Sequence, residues 1–323
     1  MTSPALPADV AAALDNKLEG LSRSETAARA ALISRSYRDG GSSRLIKSEA
    51  DALAYALVRM PATYAAVAAC LEALRDIRPD FAPKTLLDVG AGPGTASFAA
   101  SEAFSTLNLF ALLDCNAPLR RLALELARGN ARLQNMTYRA GDISDALAKS
   151  DAADLVVASY VIGELAPAEQ RELTESMWAK CRDTLLVVEP GTPAGYGRII
   201  ALRAQLIGAG AHVVAPCPHD KPCPLAAPDW CHFSQRLPRL RAHKQVKRAE
   251  LPFEDEKFAY VALMRTRLAP GPSRVLAQPR LSKVEITAKL CTTEGTVLAR
   301  VPRRDTSAYA AARRWRWGDA VKG

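Results

Sequence analysis

Apolar positions recur every three or four residues through the first eighty positions. After Pro83 they collect into short unbroken runs that end in glycine or aspartate. The first spacing puts side chains on one face of a helix, and the second suits strands covered on both faces. "VAAALDNKLEGL" and "SETAARAALISRSYR" predict two helices, the second capped by Ser24 or Ser22. Gly40 and Gly41 break the pattern. Ser48 then precedes "EADALAYALVRM", predicted to stop near Pro61, and "ATYAAVAACLEALRDI" predicts another helix beyond it. No catalytic chemistry is visible in these helices.

Beyond Pro83, "KTLLDVGAG" predicts a strand entering a glycine turn and "LNLFALLD" (107–114) a second strand. "MTYRAGDIS" predicts a third, "ADLVVASYV" a fourth and "DTLLVVEPG" a fifth. "APLRRLALELARG", with Pro118 in its first turn, reads as the helix after the second strand. Another helix is expected from roughly 166 to 181. Strands and helices alternating at this length predict an α/β fold with a parallel sheet covered on both faces. "KFAYVALMRTR" and "SKVEITAKLC" predict two further strands, which makes a seven-stranded sheet whose last two strands form an antiparallel pair. The organisation expected is a helical region at 1–82, a Rossmann-like core at 83–215, a cysteine-rich basic insertion at 216–250, and a closing segment at 251–323 with the last two strands and a basic tail.

Composition changes this picture in two ways. The 323 residues, 49% apolar, suffice for a full core. No run of eighteen apolar residues interrupts them, so no membrane partner is expected. The N-terminus lacks the basic and long apolar regions of a signal peptide, and seven cysteines, an odd number, are expected to stay reduced. A cytosolic monomer is the resulting expectation. Charge, however, is uneven. Met1 to Trp230 carries 23 Lys and Arg against 26 Asp and Glu, whereas Cys231 to Gly323 carries 20 against 8. The net charge of +9 is therefore wholly C-terminal, which points to a basic face for a polyanion.

The strongest ligand signal is "LLDVGAGPGTASFAA". Gly90, Gly92 and Gly94, with Ala91 between the first two, follow the first strand and lead into a helix near Thr95. Glycines there let the backbone turn sharply and approach a ligand. A dinucleotide loop would need glycine or alanine where Thr95 stands. The spacing from Asp88 through Gly90, Gly92 and Gly94 instead resembles the first motif of S-adenosylmethionine-dependent methyltransferases, whose ligand has a cationic amino-acid end. Asp114, 24 residues beyond Gly90, is placed to accept ribose hydroxyls. Asp142, followed by Ile143, matches the position that meets the adenine amino group in those enzymes. Cys115 is expected to line the same pocket.

No catalytic residue is assigned. Methyl transfer to an exocyclic base nitrogen typically uses an Asn/Asp-Pro-Pro-aromatic loop after strand four, where this chain reads "SYVIGEL". Glu164 and Glu189 sit at strand ends and fit either a base or a helix cap. Cys181 is expected in the core.

"CPHDKPCPLAAPDWCHF" holds Cys217, Cys223 and Cys231 in a proline-rich stretch. Zinc sites usually pair ligands two to four residues apart, which this spacing does not. Longer irregular spacings with proline after cysteine suit an iron–sulfur cluster. Three readings stay open on spacing: a cluster, zinc completed by His219 or His232, or a plain loop. Cys291 is available as a fourth thiol. "RLPRLRAHKQVKR" follows directly, with Arg236, Arg239, Arg241, Lys244, Lys247 and Arg248 as candidate phosphate contacts. In "RRWRWG", Trp315 and Trp317 either stack on bases or anchor the tail.

From about Tyr55 to Gly318 the chain resembles the methyltransferase-like 17 family, mitochondrial small-ribosomal-subunit assembly proteins and their bacterial relatives. "LLDVGAGPGTASFAA", "VVEPGTPAGYGRII", the cysteine block with "DWCHFSQRLPR", "FEDEKFAYVALMR", "KLCTTEG" and "RRWRWGD" carry the resemblance. It implies a seven-stranded class I S-adenosylmethionine methyltransferase fold and a [4Fe–4S] cluster on Cys217, Cys223, Cys231 and Cys291. It also implies binding of small-subunit, 16S-type ribosomal RNA during assembly. With no mitochondrial transit peptide visible, a bacterial cytoplasmic member is expected.

Overall fold

The computed structural model describes residues 4–38, 41–239 and 251–321. Three helices open the chain: α1 (Ala8–Leu18), α2 (Arg23–Arg38) and α3 (Glu49–Ile77). Ser48 starts α3 with a capping box. Its Oγ accepts from Asp51 N–H at 3.2 Å, and Asp51 Oδ2 accepts from Ser48 N–H at 3.0 Å. Such a cap contributes about 1 kcal/mol. The helix does not stop at Pro61, as the sequence pattern predicted, but runs through it. An internal proline costs about 3 kcal/mol. Burial of Leu53, Leu57, Met60, Leu71 and Leu74 outweighs that cost, at about 1.5–3 kcal/mol for each large apolar side chain. α3 is long and apolar enough to cross a bilayer, but 83% of its most apolar window is buried inside the protein. It is the core helix of this fold.

Among the described residues the large sheet has eight strands. Parallel strands β1 (Thr85–Val89), β2 (Leu109–Asp114), β3 (Thr137–Ala140), β4 (Ala153–Ser159) and β5 (Cys181–Pro190) lie in the order β3-β2-β1-β4-β5. The connecting helices are α4 (Thr95–Ala103), α5 (Ala117–Ala127), α6 (Ile143–Ala148) and α7 (Pro167–Lys180). Alternation along β1 divides the two cores. Leu86 faces the cluster built on α1, α3, α4 and α5, whereas Leu87 and Val89 face the one built on α6, α7 and the later α8 (Pro193–Gly208). Beyond β5 comes β8 (Phe253–Met264), antiparallel to it, and β8 pairs in turn with β6 (His212–Ala215) and β7 (Phe233–Pro238).

"SKVEITAKLC" is not the partner of β8, as expected, but lies in a second sheet. That sheet comprises β9 (Ser273–Val275), β10 (Arg280–Leu281), β11 (Glu285–Thr292), β12 (Gly295–Pro302) and β13 (Ala320–Val321). A short helix, α9 (Thr306–Ala312), packs on β11 and β12. The reason is visible in burial. β8 has an unbroken buried run from Phe258 to Met264, as a strand covered on both faces must. β11 alternates, with Ile286, Ala288 and Leu290 buried between half-exposed residues, so it has only one covered face.

Candidate functional site: a glycine-loop crevice and a four-cysteine centre

The loop after β1 is left-handed at three points, with φ of 70° at Gly90, 53° at Gly92 and 81° at Gly94. Only glycine takes such values without strain. A Cβ at Gly90 would collide with Val161, whereas one at Gly92 would meet only Leu119 Cδ1 at 3.9 Å. The loop is therefore packed on one side and open above Gly92. Gly90 and Ala91 donate to Leu113 O at 2.8 and 3.0 Å, and Tyr138 OH donates to Gly92 O at 2.7 Å. These bonds hold the loop against the end of β2.

Asp88 is 0% exposed, and its Oδ2 accepts from Ser97 N–H at 3.1 Å and Ser97 Oγ at 2.7 Å. Its Oδ1 has no partner among the described residues. Burial pushes this carboxyl up to about 7. The folded carboxyl then resists ionisation that the unfolded one undergoes near 3.8, so stability falls as pH rises from about 4 through about 7. Asp88→Asn removes that loss. Its thermal midpoint should match wild type below pH 4 and exceed it increasingly up to pH 8, in scans across that range; parallel pH profiles would refute the buried-acid assignment.

Asp114 ends β2 and accepts from Gly92 N–H at 2.8 Å through Oδ2 and from Asn116 N–H at 2.7 Å through Oδ1. Burial raises its pKa and these backbone donors oppose the rise. Asp142 caps α6, its Oδ1 accepting from Ser144 and Asp145 N–H at 2.9 and 3.2 Å. Ile143 begins that helix, and Cys115 is exposed just after Asp114.

One feature was not legible in the sequence. Asn116 Nδ2 donates to Ser43 O and Ile46 O, each at 3.0 Å, while Ser43 N–H and Oγ donate to Glu164 Oε2, each at 3.0 Å. Because β1 lies between β2 and β4, this strap from 43 to 46 crosses the glycine-loop end of the sheet. Glu164 thus neither caps a helix nor stands free: it anchors the strap. Glu189, at the end of β5, is paired with Arg198 at 2.7 Å. Both glutamates border a cavity of about 800 Å³ beneath α2 and α3.

The cysteine loop leaves β6 and returns at β7. Cys231 feels Cys217, Cys223 and Cys291 as electrostatic neighbours, so the four thiols share one locality. Burial, then their mutual proximity, raises Cys231 well above the usual thiol range, and burial takes Cys291 to about 12. Tyr196 OH donates to Cys223 Sγ at 3.2 Å, and Cys291 Sγ lies 3.9 Å from His219 Nε2. Two buried arginines hold the loop backbone. Arg203 bonds His219 O at 2.7 Å and Lys221 O at 2.8 Å, and Arg274 bonds Pro216 O at 3.1 Å and Gly318 O at 2.8 Å. The donor set suits an iron–sulfur cluster in number and type, although among the described residues no three ligand side chains are already drawn around a metal position. Cys70 and Cys181 are buried elsewhere, in α3 and at the start of β5.

Of the basic segment, Arg236 makes a two-pronged ion pair with Asp255 at 2.8 and 2.9 Å and lies over the Phe253 ring. Arg239 meets Glu254 at 3.3 Å. Arg241, Lys244, Lys247 and Arg248 lie outside the described residues, as does Gly40. Trp317 Nε1 donates to His232 O at 2.9 Å and packs edge-on to His232, while Trp315 packs on the small sheet's core. Both tryptophans therefore anchor the tail.

The strand order, the antiparallel β8 and the glycine loop ahead of Asp114 define a class I S-adenosylmethionine-dependent methyltransferase fold. The family model described as "Mitochondrial small ribosomal subunit Rsm22" matches residues 49–322, and the chain belongs to that family. It is 28% identical to the human ribosome assembly protein METTL17, mitochondrial, over 85% of this chain and 63% of that protein. It is 27% identical to the Rsm22-cox11 tandem protein 2, mitochondrial, of Schizosaccharomyces pombe, over 59% of this chain and 28% of that one. The chain thus spans less than two thirds of the length of either relative. Among solved structures, the plantazolicin methyltransferase BpumL is similar at 12% identity and a TM-score of 0.44, covering 79% of this chain and 99% of that one. The magnesium protoporphyrin IX methyltransferase of Synechocystis PCC 6803 is similar at 13% identity and 0.40, covering 64% and 80%. The relatives are mitochondrial by name, which overturns the expectation of a bacterial cytoplasmic protein.

Proposed function

We propose that this chain binds S-adenosylmethionine and a [4Fe–4S] cluster, binds ribosomal RNA, and assists assembly of the small ribosomal subunit. The observation that carries this reading is the shared locality of Cys217, Cys223 and Cys231 in the loop with Cys291 of the second sheet. A cluster held by these four thiolates would tie the loop to the second sheet. Arg203 and Arg274 hold the loop in place by its carbonyls and set positive charge beside the thiols. On the cofactor side, Gly92 leaves space for close backbone approach, and Asp114 offers carboxylate lone pairs to a ribose. The resemblance to ribosome assembly proteins supports the RNA partner. Iron content and absorption of anaerobically purified protein test the cluster; zinc in place of iron would overturn it.

The RNA reading has its own test. Arg236 and Arg239 already hold Asp255 and Glu254, so the larger share of phosphate binding falls to Arg241, Lys244, Lys247 and Arg248. Neutralising those four should flatten the dependence of log K on log salt by roughly 0.7–0.9 for each phosphate interaction removed. An unchanged slope in titrations with small-subunit rRNA would move the RNA surface elsewhere. A second reading, an active rRNA methyltransferase with a structural cluster, is favoured by the cavity beside the glycine-loop end of the sheet. Transfer of labelled methyl groups to RNA by purified protein separates the two.

A further inference from the structure

The cysteine loop is docked onto α8, a helix of the methyltransferase-like core. Thr192 caps that helix, its Oγ accepting from Gly195 N–H at 3.1 Å. A Cβ at Gly195 would collide with Pro190 O, so only glycine lets the first turn lie against the end of β5. Ile199, Leu202 and Leu206 seat the helix in the core it shares with β5 and β8. Trp230 Nε1 donates to Gly191 O at 3.1 Å, which ties the residue before Cys231 to the turn that starts α8. The helix is therefore a rigid platform beside the thiols.

Two of its side chains turn donors to the loop. Tyr196 and Arg203 are seven residues apart, two turns along, and so share one side of the helix. Tyr196 OH lies 3.2 Å from Cys223 Sγ, while its ring packs on the core. A phenol keeps its proton at neutral pH and a thiolate has none to give, so this bond runs from oxygen to sulfur. Arg203 is 3% exposed; its Nη2 is spent on His219 O and Lys221 O, and its Nε has no partner among the described residues. Burial raises the Cys217 thiol, and the Arg203 guanidinium beside it opposes the rise by charge and by hydrogen bond. A buried cation needs an anion close by, and a metal-bound thiolate at Cys217 supplies one.

Hydrogen bonds to sulfur and nearby charge help set the potential of an iron–sulfur cluster. Reduction adds an electron to a centre already negative through its thiolates. A donor aimed at sulfur therefore stabilises the reduced form more than the oxidised one, and raises the potential. We propose, on the cluster reading above, that Tyr196 is a positioning residue whose hydroxyl hydrogen-bonds the Cys223 thiolate of a bound [4Fe–4S] cluster, and that with Arg203 at Cys217 it raises the cluster's reduction potential. The ligands alone do not fix the potential: a helix of the neighbouring domain does.

The test uses the full chain purified anaerobically as wild type, as Tyr196→Phe, and with fluorotyrosine placed at position 196. Iron is counted first. Each protein is then titrated with dithionite and mediator dyes, and the reduced cluster is followed by electron paramagnetic resonance. Tyr196→Phe keeps the ring and should keep its iron. At a fixed potential its ratio of reduced to oxidised cluster should fall about threefold or more, a downward shift of about 30 mV. Fluorotyrosine, a more acidic donor, should shift the midpoint upward. Opposite signs from the two changes are not what packing alone produces. In resonance Raman spectra the iron–thiolate stretches of Tyr196→Phe should move to higher frequency, because a sulfur freed of its hydrogen bond binds iron more covalently. Iron-loaded proteins with identical midpoints would overturn the role of Tyr196 and leave the cluster standing. Wild type carrying zinc or no iron would overturn the cluster reading and this one with it.

Discussion

Cys291→Ser should reduce iron from about four atoms per chain to less than one, nearly as severely as Cys223→Ser. The two residues reach the centre by different routes. Cys223 sits in a loop between β6 and β7, whereas Cys291 belongs to β11, where its backbone is in register with Arg274 of β9 and Thr296 of β12. A strand held from both sides cannot follow a displaced cluster, so a serine there leaves one iron without its thiolate. Cys70→Ser and Cys181→Ser should retain full iron, because those thiols belong to the core helix α3 and the start of β5 and not to the loop or β11. Inductively coupled plasma analysis and the visible absorption of anaerobic protein read the result. Full loading of Cys291→Ser would sink the four-cysteine centre.

The second large effect belongs to the glycine loop. Gly92→Arg should abolish measurable S-adenosylmethionine binding in calorimetry, and Asp114→Ala should weaken it by tenfold or more. The arginine fills the one side of the loop left open and takes a left-handed φ of 53° that suits glycine. The alanine removes the proposed ribose acceptor and also leaves Gly92 N–H and Asn116 N–H unpaired. Asp114→Asn separates these losses, since its carbonyl oxygen still accepts from one of them. Unchanged affinity in Gly92→Arg and Asp114→Ala, with circular dichroism like wild type, would remove the crevice as the cofactor site.

Patterns set by neighbours along the chain were readable before any fold was known. Ser48 reads as a helix start because its partner, Asp51, is three residues away. The glycine spacing reads as a loop because left-handed backbone is a local demand. The thiol block drew attention through composition, and its proline-rich stretch does form a loop between two strands. Errors arose where distant burial decided the outcome. Pro61 looked like a stop because the local rule disfavours it, yet packing along α3 on both sides of it continued the helix. "SKVEITAKLC" and "KFAYVALMRTR" both read as strands; only their burial patterns tell which one has two covered faces.

What the sequence determined by itself is thus the local grammar: the parallel strand-and-helix alternation, the glycine turn with Asp114 beyond it, the caps, and the cysteine supply. The tertiary structure alone decided which sheet β11 joins and that Cys291 shares a locality with Cys217, Cys223 and Cys231. It also placed the strap from 43 to 46 across the glycine-loop end and buried Glu189 against Arg198. The division has one physical cause. A cap, a turn or a periodicity is satisfied by atoms a few residues apart, whereas burial depends on what the rest of the chain places overhead. Arg236 illustrates it well, a cation in a basic run that becomes a paired group once β7 lies against Asp255 of β8.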